Sequence, residues 1–168
     1  MFAKLKQRWQ DLRTIANLSN NAERWALKAG QRHPGAEHYA LAALDLADGS
    51  ARRVFQRVGA DPQAYRAALE QRHAAALSSL GLEVDADDMT PPPATAGKLF
   101  DAQPSGQALM QKLRDAQRRL PAALCGAHIL LVVAGMRQSA AGRAFGAINV
   151  DLQALGRAAE EELRAMAA

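Results

Sequence analysis

The chain has 168 residues, of which 49% are apolar and only 5% aromatic, and its formal net charge at pH 7 is +4. Strong helix formers dominate and β-branched residues are scarce, which predicts an all-α protein. The single cysteine, Cys125, excludes an intrachain disulfide, and the longest apolar run, Leu120 to Met136, is shorter than the ~20 residues of a membrane-spanning helix. We therefore expect a cytoplasmic protein without a membrane span.

The first segment, residues 2–17, has apolar residues spaced by three and four positions, which predicts an amphipathic helix. The apolar residues are Phe2, Leu5, Trp9, Leu12 and Ile15, and the basic residues among them are Lys4, Lys6, Arg8 and Arg13. This apolar stripe has three interpretations: it packs on the body of the protein, docks to a partner, or lies on an anionic membrane. A second helix start is predicted near Ser19, because the segment from Asn17 to Asn21 is rich in N-cap residues.

Cap and breaker residues place the other helices of the first half. We predict helices over residues 22–29, 37–47, 51–58 and from 62 to 77 or beyond. Gly30 ends the first of them as a C′ glycine, and Ser50 caps the third. The pair Asp61-Pro62 combines an N-cap aspartate with proline at the first helical position, which is a strong helix start.

The helical pattern fails from residue 79 to residue 104. An acidic segment from Glu83 to Asp88 precedes Pro91-Pro92-Pro93, which together predict a linker with extended character. Further helices are predicted near residues 105–119, 126–136, 139–146 and 151–166. The predicted organisation is therefore an N-terminal helix plus first repeat at 1–78, a linker at 79–104 and a second repeat at 105–168, packed as one compact domain.

An internal repeat underlies this division. The stretch from Gly35 to Leu44 returns in part as Gly126 to Ala134, and His128 follows His38 by 128 − 38 = 90 positions. The same offset aligns Ala26 with Ala116, Phe55 with Phe145, Asp61 with Asp151 and Gln63 with Gln153. A repeat unit that cannot bury its apolar face alone packs against its sister, so the duplication predicts two halves that share a core.

Three segments of the first repeat carry a family resemblance. They are Ala22-Glu23-Arg24-Trp25-Ala26-Leu27-Lys28-Ala29-Gly30, Pro34-Gly35-Ala36-Glu37-His38 and Val58-Gly59-Ala60-Asp61. In this order they resemble the N-terminal domain of Clp-type unfoldases, over about residues 12–75 and 100–165. The resemblance implies an all-α double Clp repeat, built from two four-helix units related by a pseudo-two-fold axis. It also implies a non-catalytic module that binds polypeptide in a groove between its repeats.

The function implied by this resemblance is an adaptor, decoy or receptor in Clp-dependent protein quality control, with a Clp motor, its substrates or its adaptors as partners. No cofactor is expected, and no P-loop is found: Gly97-Lys98 is followed by Leu99, and Pro92 stands where the first glycine should be. One alternative is the N-domain of the Clp motor of type VI secretion, which binds a sheath peptide. Another is a helical regulatory module for nucleic acid or a DNA-binding partner. The basic residues are spread along the chain and are not interleaved with exposed aromatics, which argues against nucleic acid.

The resemblance also names candidate binding residues. In the ClpC branch, a glutamate of each repeat holds the guanidinium of phosphoarginine, and a threonine at the start of each repeat helps to hold the phosphate. Glu37 matches the first glutamate, whereas Ala127 replaces the second. The threonine positions fall near Leu12 and Ala102, with Thr14 and Ser105 close by but out of register. The candidate partner-binding residues are Glu37, His38, Thr14, Ser105 and His128.

Structural explanations compete for the same residues. A carboxylate in the first turn of a helix, such as that of Glu37, also stabilises the helix dipole. His38 and His128 each start an apolar helix, where a histidine commonly bonds to backbone. A zinc site of the type His-x-x-Glu-His is not expected, because Pro34 occupies the position of its first histidine.

Overall fold

The structure, a computed structural model, describes residues 2–82 and 102–168. Within these ranges it contains eight helices and no β-strand, which confirms the predicted all-α class. The helices are α1 (Phe2–Lys28), α2 (Ala36–Leu44), α3 (Ser50–Arg57), α4 (Pro62–Ser79), α5 (Pro104–Arg119), α6 (Gly126–Ala134), α7 (Ala140–Ala147) and α8 (Leu152–Ala167). None of these helices is both long and apolar enough to cross a membrane.

The helix bounds repeat along the chain. Helices α6 and α7 begin and end 90 positions (126 − 36) after α2 and α3, and α8 begins 90 positions after α4. Local capping explains the shared starts of α4 and α8. Asp61 accepts the N–H of Gln63 at 3.0 Å, and Asp151 accepts the N–H of Ala154 at 2.8 Å. A pseudo-two-fold relation between the halves in space stays a prediction.

Helix α1 differs from the sequence prediction in two ways. It runs without a break through Ser19. Leu18, Ala22 and Ala26 on one side of the helix are buried, which favours a continuous helix across the predicted start. Of the three interpretations of the stripe, packing on the body does not hold for its first four residues. Phe2, Leu5, Trp9 and Leu12 are 89%, 55%, 64% and 59% exposed, and only Ile15 packs partly against the core.

The core is shared by the two halves. All nine residues of α2 and seven of the nine residues of α6 are buried, and these two central helices contact each other. Helix α1 packs on α2, α5 and α8 pack on α6, and the pairs α3 with α8 and α4 with α7 cross between the halves. The close contact of α6 with the first half requires Gly126, since a Cβ atom there would lie 2.8 Å from the Cβ of Ala51.

Three aromatic rings close the core across this division. The ring of Tyr65 stacks on Phe145 with centroids 4.2 Å apart, and Phe55 meets Tyr65 edge to face at 5.7 Å. The Tyr65 hydroxyl donates to the carbonyl of Ala141 at 3.3 Å. These contacts join residues from both sides of the predicted linker, so neither half has this core alone.

Most of the predicted linker, residues 83–101, lies outside the described residues, and the domain boundaries stay a prediction. The end of this segment is described where it meets the body. The N–H of Gln103 donates to the carbonyl of Pro34 at 3.0 Å, and the Gln103 side chain donates to the carbonyl of His33 at 2.8 Å. These bonds bring the start of α5 next to the start of α2.

Candidate partner-binding site

The start of α2 is held by groups from two parts of the chain. The Nδ1 atom of His38 accepts the N–H of Gly35 at 2.9 Å, and the Ser105 hydroxyl accepts the N–H of Ala36 at 3.1 Å. Both bonds satisfy backbone donors that a helix start leaves unpaired. The first turn of α2, which carries Glu37, is therefore fixed in place.

The Glu37 side chain lies in this fixed turn with an unsatisfied oxygen. The residue is 8% exposed, and its Oε2 atom is buried and has no hydrogen-bond partner among the described residues. Gly35 leaves room for it, because a Cβ atom at that position would stand 2.6 Å from Oε2. Burial raises the pKa of this carboxyl above its ordinary value, and a hydrogen bond to its own backbone partly opposes the shift.

The neighbouring histidine does not neutralise this carboxylate at neutral pH. His38 Nδ1 is 3.7 Å from Glu37 Oε1, but that nitrogen already accepts the N–H of Gly35 and so carries no proton. Burial and, to a lesser extent, nearby His73 lower the pKa of His38 to about 4. An unpaired buried acceptor costs about 1–3 kcal/mol, so a cationic donor such as a guanidinium would gain free energy by bonding to Glu37.

The start of α6, where Ala127 stands in place of a second glutamate, is closed by the protein itself. The N–H of Ala127 donates to the Ser50 hydroxyl at 2.9 Å, and the N–H of Gly126 lies 3.4 Å from the carboxylate of Asp48. His128 Nδ1 accepts the N–H of Cys125 at 3.4 Å, and its Nε2 atom bonds to the carbonyl of Leu120 at 3.1 Å. This helix end offers no unpaired carboxylate that corresponds to Glu37.

Ser50 was expected to cap its own helix, and this expectation is wrong. Gly49, with a φ of 67°, occupies the N-cap position of α3, and Ser50 is the first helical residue. Its N–H donates to Asp48 at 2.8 Å and its hydroxyl donates to the same oxygen, which leaves the hydroxyl oxygen free to accept from α6. The acidic loop residue therefore turns the serine toward the other half.

The structure gathers only part of the predicted site. Glu37, His38 and Ser105 meet at the start of α2. Thr14 lies half-buried on α1, and no hydrogen bond between described residues joins it to Glu37. His128 is fully buried at the start of α6, where both ring nitrogens have backbone partners. The geometry gives both histidines a capping role.

A surface groove between the halves was predicted, but its lining was not. A groove of about 470 Å³ runs between α3 and α8. Six of its lining residues are Arg57, Val58, Asn149, Asp151, Arg157 and Glu161. Asn149, which lines the groove, aligns with Gly59 in the repeat, and both residues have positive φ, at 59° and 65°.

An ion cluster borders this groove. The buried carboxylate of Glu162 forms ion pairs with Arg53, at 2.5 Å from Nε to Oε1, and with Arg57, at 3.3 Å from Nη2 to Oε2. The Nη1 atom of Arg57 also lies 3.5 Å from Oε2 of Glu161. The arginines come from α3 and the glutamates from α8. These ion pairs join the two halves and leave Arg57 partly exposed toward the groove.

The described residues provide neither a metal-binding group nor a reactive thiol. Within the described ranges, no group of three or more histidine, cysteine, aspartate or glutamate side chains could hold a metal ion. Cys125 is buried, and its burial raises the pKa of the thiol. A raised pKa keeps the thiol protonated at neutral pH and makes it a poor nucleophile.

The structure defines an all-α domain whose two halves share one core, with the buried carboxylate of Glu37 at the start of α2. The family model for the Clp repeat (R) N-terminal domain matches residues 15–102, just over half of the chain, so the chain belongs to this family. The family is a non-catalytic protein-interaction module of Clp unfoldases, which supports a protein-binding role. No curated protein matches the chain.

Proposed function

We propose that this protein is a cytoplasmic, non-catalytic module that binds substrate, adaptor or partner polypeptide in Clp-dependent protein quality control. Glu37 is the residue that we place at the centre of this binding. Its buried Oε2 atom, which has no partner among the described residues, is the single observation that carries the proposal. The N-terminal helix with the first repeat, the linker and the second repeat act in this proposal as one binding unit.

The chemistry of the site selects the partner group. A buried carboxylate without a donor binds a positively charged group most strongly, and a guanidinium matches it with two parallel N–H donors. We therefore expect the bound segment to present an arginine or another basic side chain to the start of α2. His38 and Ser105 hold the turn that presents Glu37, so they position the carboxylate through Gly35 and Ala36.

The second repeat takes no equivalent part. Ala127 has no carboxylate, and the donors of its helix start are already paired with Ser50 and Asp48. Losing a charge-assisted bond of about 1.5–3 kcal/mol weakens a pocket by about tenfold to a hundredfold or more. Paired recognition of phosphoarginine by both repeats is therefore not part of this proposal.

The test is a pull-down from cell lysate with wild-type protein, E37Q and the matched control E160Q, quantified by mass spectrometry. Glu37→Gln keeps the shape of the side chain and removes its charge, whereas Glu160 lies on the surface of α8. We expect a Clp motor, its clients or its adaptors to be enriched by wild type and E160Q, and reduced at least about tenfold with E37Q. Equal enrichment by all three proteins contradicts the role of Glu37, and the absence of any polypeptide partner contradicts the proposed function.

A further inference from the structure

The N-terminal part of α1 is not explained by the binding site above. We define the N-terminal stripe as Phe2, Leu5, Trp9 and Leu12, all of them exposed. The family match begins at residue 15, so this whole stripe precedes the matched residues. Four large apolar side chains on one solvent-facing line of a helix mark an interaction surface.

The stripe faces away from the body of the protein. At about 100° of rotation per residue, its four residues span an arc of about 80°, and Leu18 and Ala22 lie about 160° and about 120° from the centre of that arc. Leu18 and Ala22 are buried in the core, which fixes the orientation of the helix. A flat surface can therefore reach the stripe without meeting the body.

The charges around the stripe are basic. Lys4, Lys6, Arg8 and Arg13 are exposed on the same part of α1. Asp11 is the one acidic residue between residues 2 and 14, and it is turned toward the body. Its carboxylate accepts the N–H of Leu124 at 2.8 Å and the side-chain amide of Gln117 at 2.9 Å. These bonds satisfy the carboxylate oxygens and anchor α1 to α5 and to the α5–α6 loop.

The charges and the size of the stripe select its occupant. A second copy of the helix would bring basic flanks against basic flanks, which repel. A stable protein complex buries about 800 Å² on each partner with roughly 20–30 residues. The stripe has four residues along about 15 Å of helix. An anionic lipid surface has neither restriction, because it attracts each basic flank and takes up the apolar side chains between them.

We propose that the N-terminal stripe binds the surface of an anionic membrane, with α1 lying in the plane of the headgroups. Trp9, Phe2 and the two leucines enter the boundary between headgroups and acyl chains. Lys6, Arg8 and Arg13, which lie within about 80° of the centre of the stripe, contact the phosphates. Trp, Phe and Leu on one face with Lys and Arg beside them is the composition of interfacial helices. The body then lies on the aqueous side of the helix, so the site at Glu37 is untouched and this inference does not depend on it.

The test measures co-sedimentation of the full chain with vesicles of equimolar phosphatidylglycerol and phosphatidylcholine, and with vesicles of phosphatidylcholine alone. We expect binding to the anionic vesicles to be at least about tenfold stronger, since each basic residue near such a surface adds to the affinity. Raising the salt to about 0.5 M should remove most of that difference. Leu5→Glu and Leu12→Glu should each weaken binding to anionic vesicles about tenfold or more.

Leu80→Glu is the matched control, because Leu80 is 75% exposed at the C-cap of α4 and is not part of the stripe. It should bind the anionic vesicles as wild type does. Trp9→Phe provides a second measurement, of the blue shift in tryptophan fluorescence that wild type should show on binding vesicles. This shift should disappear in the variant, because the remaining Trp25 donates to Asp45 at 2.7 Å and stays on the body. Circular dichroism checks that each variant remains folded.

Three results would overturn the proposal. One is the absence of sedimentation with anionic vesicles at low salt, and another is equal binding by wild type and L5E. The third is a protein partner with an acidic amphipathic helix that binds the stripe while the vesicles do not. Loss of vesicle binding in E37Q is not expected, which separates this surface from the proposed polypeptide site.

Discussion

Ser50, in the first half of the chain, caps a helix of the second half: its hydroxyl accepts the N–H of Ala127 at 2.9 Å. Ser105, in the second half, does the same for α2 by accepting the N–H of Ala36 at 3.1 Å. Each central helix therefore takes a cap from the other half. Burial of α2 and α6 and closure of their first turns depend on the same contact between the halves.

Ser50→Ala should lower the free energy of unfolding by about 1–3 kcal/mol, because it removes the cap of α6 and leaves the buried N–H of Ala127 without its acceptor. Chemical denaturation in urea measures this change. Ser79→Ala is the control, since Ser79 lies exposed at the end of α4 and bonds only to the carbonyl of Ala76 among the described residues. An effect of Ser50→Ala as small as that of the control would show that the cap across the halves is not a stabilising contact.

Glu162→Ala should destabilise the protein by about 1–2 kcal/mol, because it removes the buried acceptor shared by Arg53 and Arg57. This is less than the loss for a fully buried pair, since both arginines are nearly half exposed and can be solvated. Glu160→Ala, which breaks an exposed pair with Arg164, should cost under about 1 kcal/mol. Urea denaturation of both variants gives the comparison, and equal losses would contradict a special role for Glu162.

Glu37→Gln should stabilise the protein at neutral pH while it weakens partner binding. Burial raises the pKa of Glu37 in the folded state above its ordinary value of 4.5. At pH values between the pKa of this carboxyl in the unfolded state and its higher pKa in the folded state, the folded state holds a proton that the unfolded state has lost. The contribution of Glu37 to the free energy of unfolding therefore falls as the pH rises through this range. The amide of E37Q carries no charge to desolvate, so this fall should be absent from its profile.

Urea denaturation from about pH 4 to about pH 8 tests the effect of Glu37, with the exposed variant E70Q as the control. The side chain of Glu70 pairs with Arg66 on the surface of α4, so its charge is solvated in the folded protein. Parallel profiles for wild type and E37Q would mean that Glu37 is not desolvated. If E37Q loses its partner and gains stability, the carboxylate serves binding at a cost to the fold.

The effect of His38 on the pH dependence of stability should be opposite to that of Glu37, because His38 destabilises the folded state at acidic pH. Its pKa falls from 6.5 to about 4 in the folded state, because burial disfavours the charged ring. The unfolded state takes up a proton first, so stability is fully present above about pH 6.5 and is lost as the pH falls through this window, by about 3 kcal/mol at its lower end.

NMR spectra of the histidine rings test this prediction directly. The ring signals of His38 should not move between about pH 7 and about pH 5, because the ring stays neutral while its Nδ1 atom holds the N–H of Gly35. A titration of His38 near pH 6.5 in the folded protein would show that the ring is solvated and that the cap at the start of α2 is open.

Local signals explain why so many helices were placed correctly from the sequence. Asp61-Pro62 predicted the start of α4, and Asp151 predicted the start of α8, because an N-cap bond joins residues two or three positions apart. The repeated histidines marked α2 and α6 for the same reason, since each ring bonds to the N–H three residues before it. Which residues are buried between the two halves could not be inferred from the spacing of residues along the chain.

The N-terminal stripe shows where such inference ends. Its spacing predicted an amphipathic helix, which the structure contains, but spacing cannot say which side of a helix meets the core when two apolar lines are present. Leu18 and Ala22 form the second line, and they occupy the core against α2. The first line was left in solvent because only one side of α1 can face the body.

The sequence by itself determined the helical class, the repeat and its offset, most of the helix starts and the family, because these depend on composition and on residues close together in the chain. The tertiary structure decided which groups complete one another across the halves. It turned Ser50 toward Ala127, left Glu37 buried with an unpaired oxygen and placed Glu162 between two arginines. These relationships join residues far apart in sequence, and their energies depend on burial, which exists only after the two halves have packed.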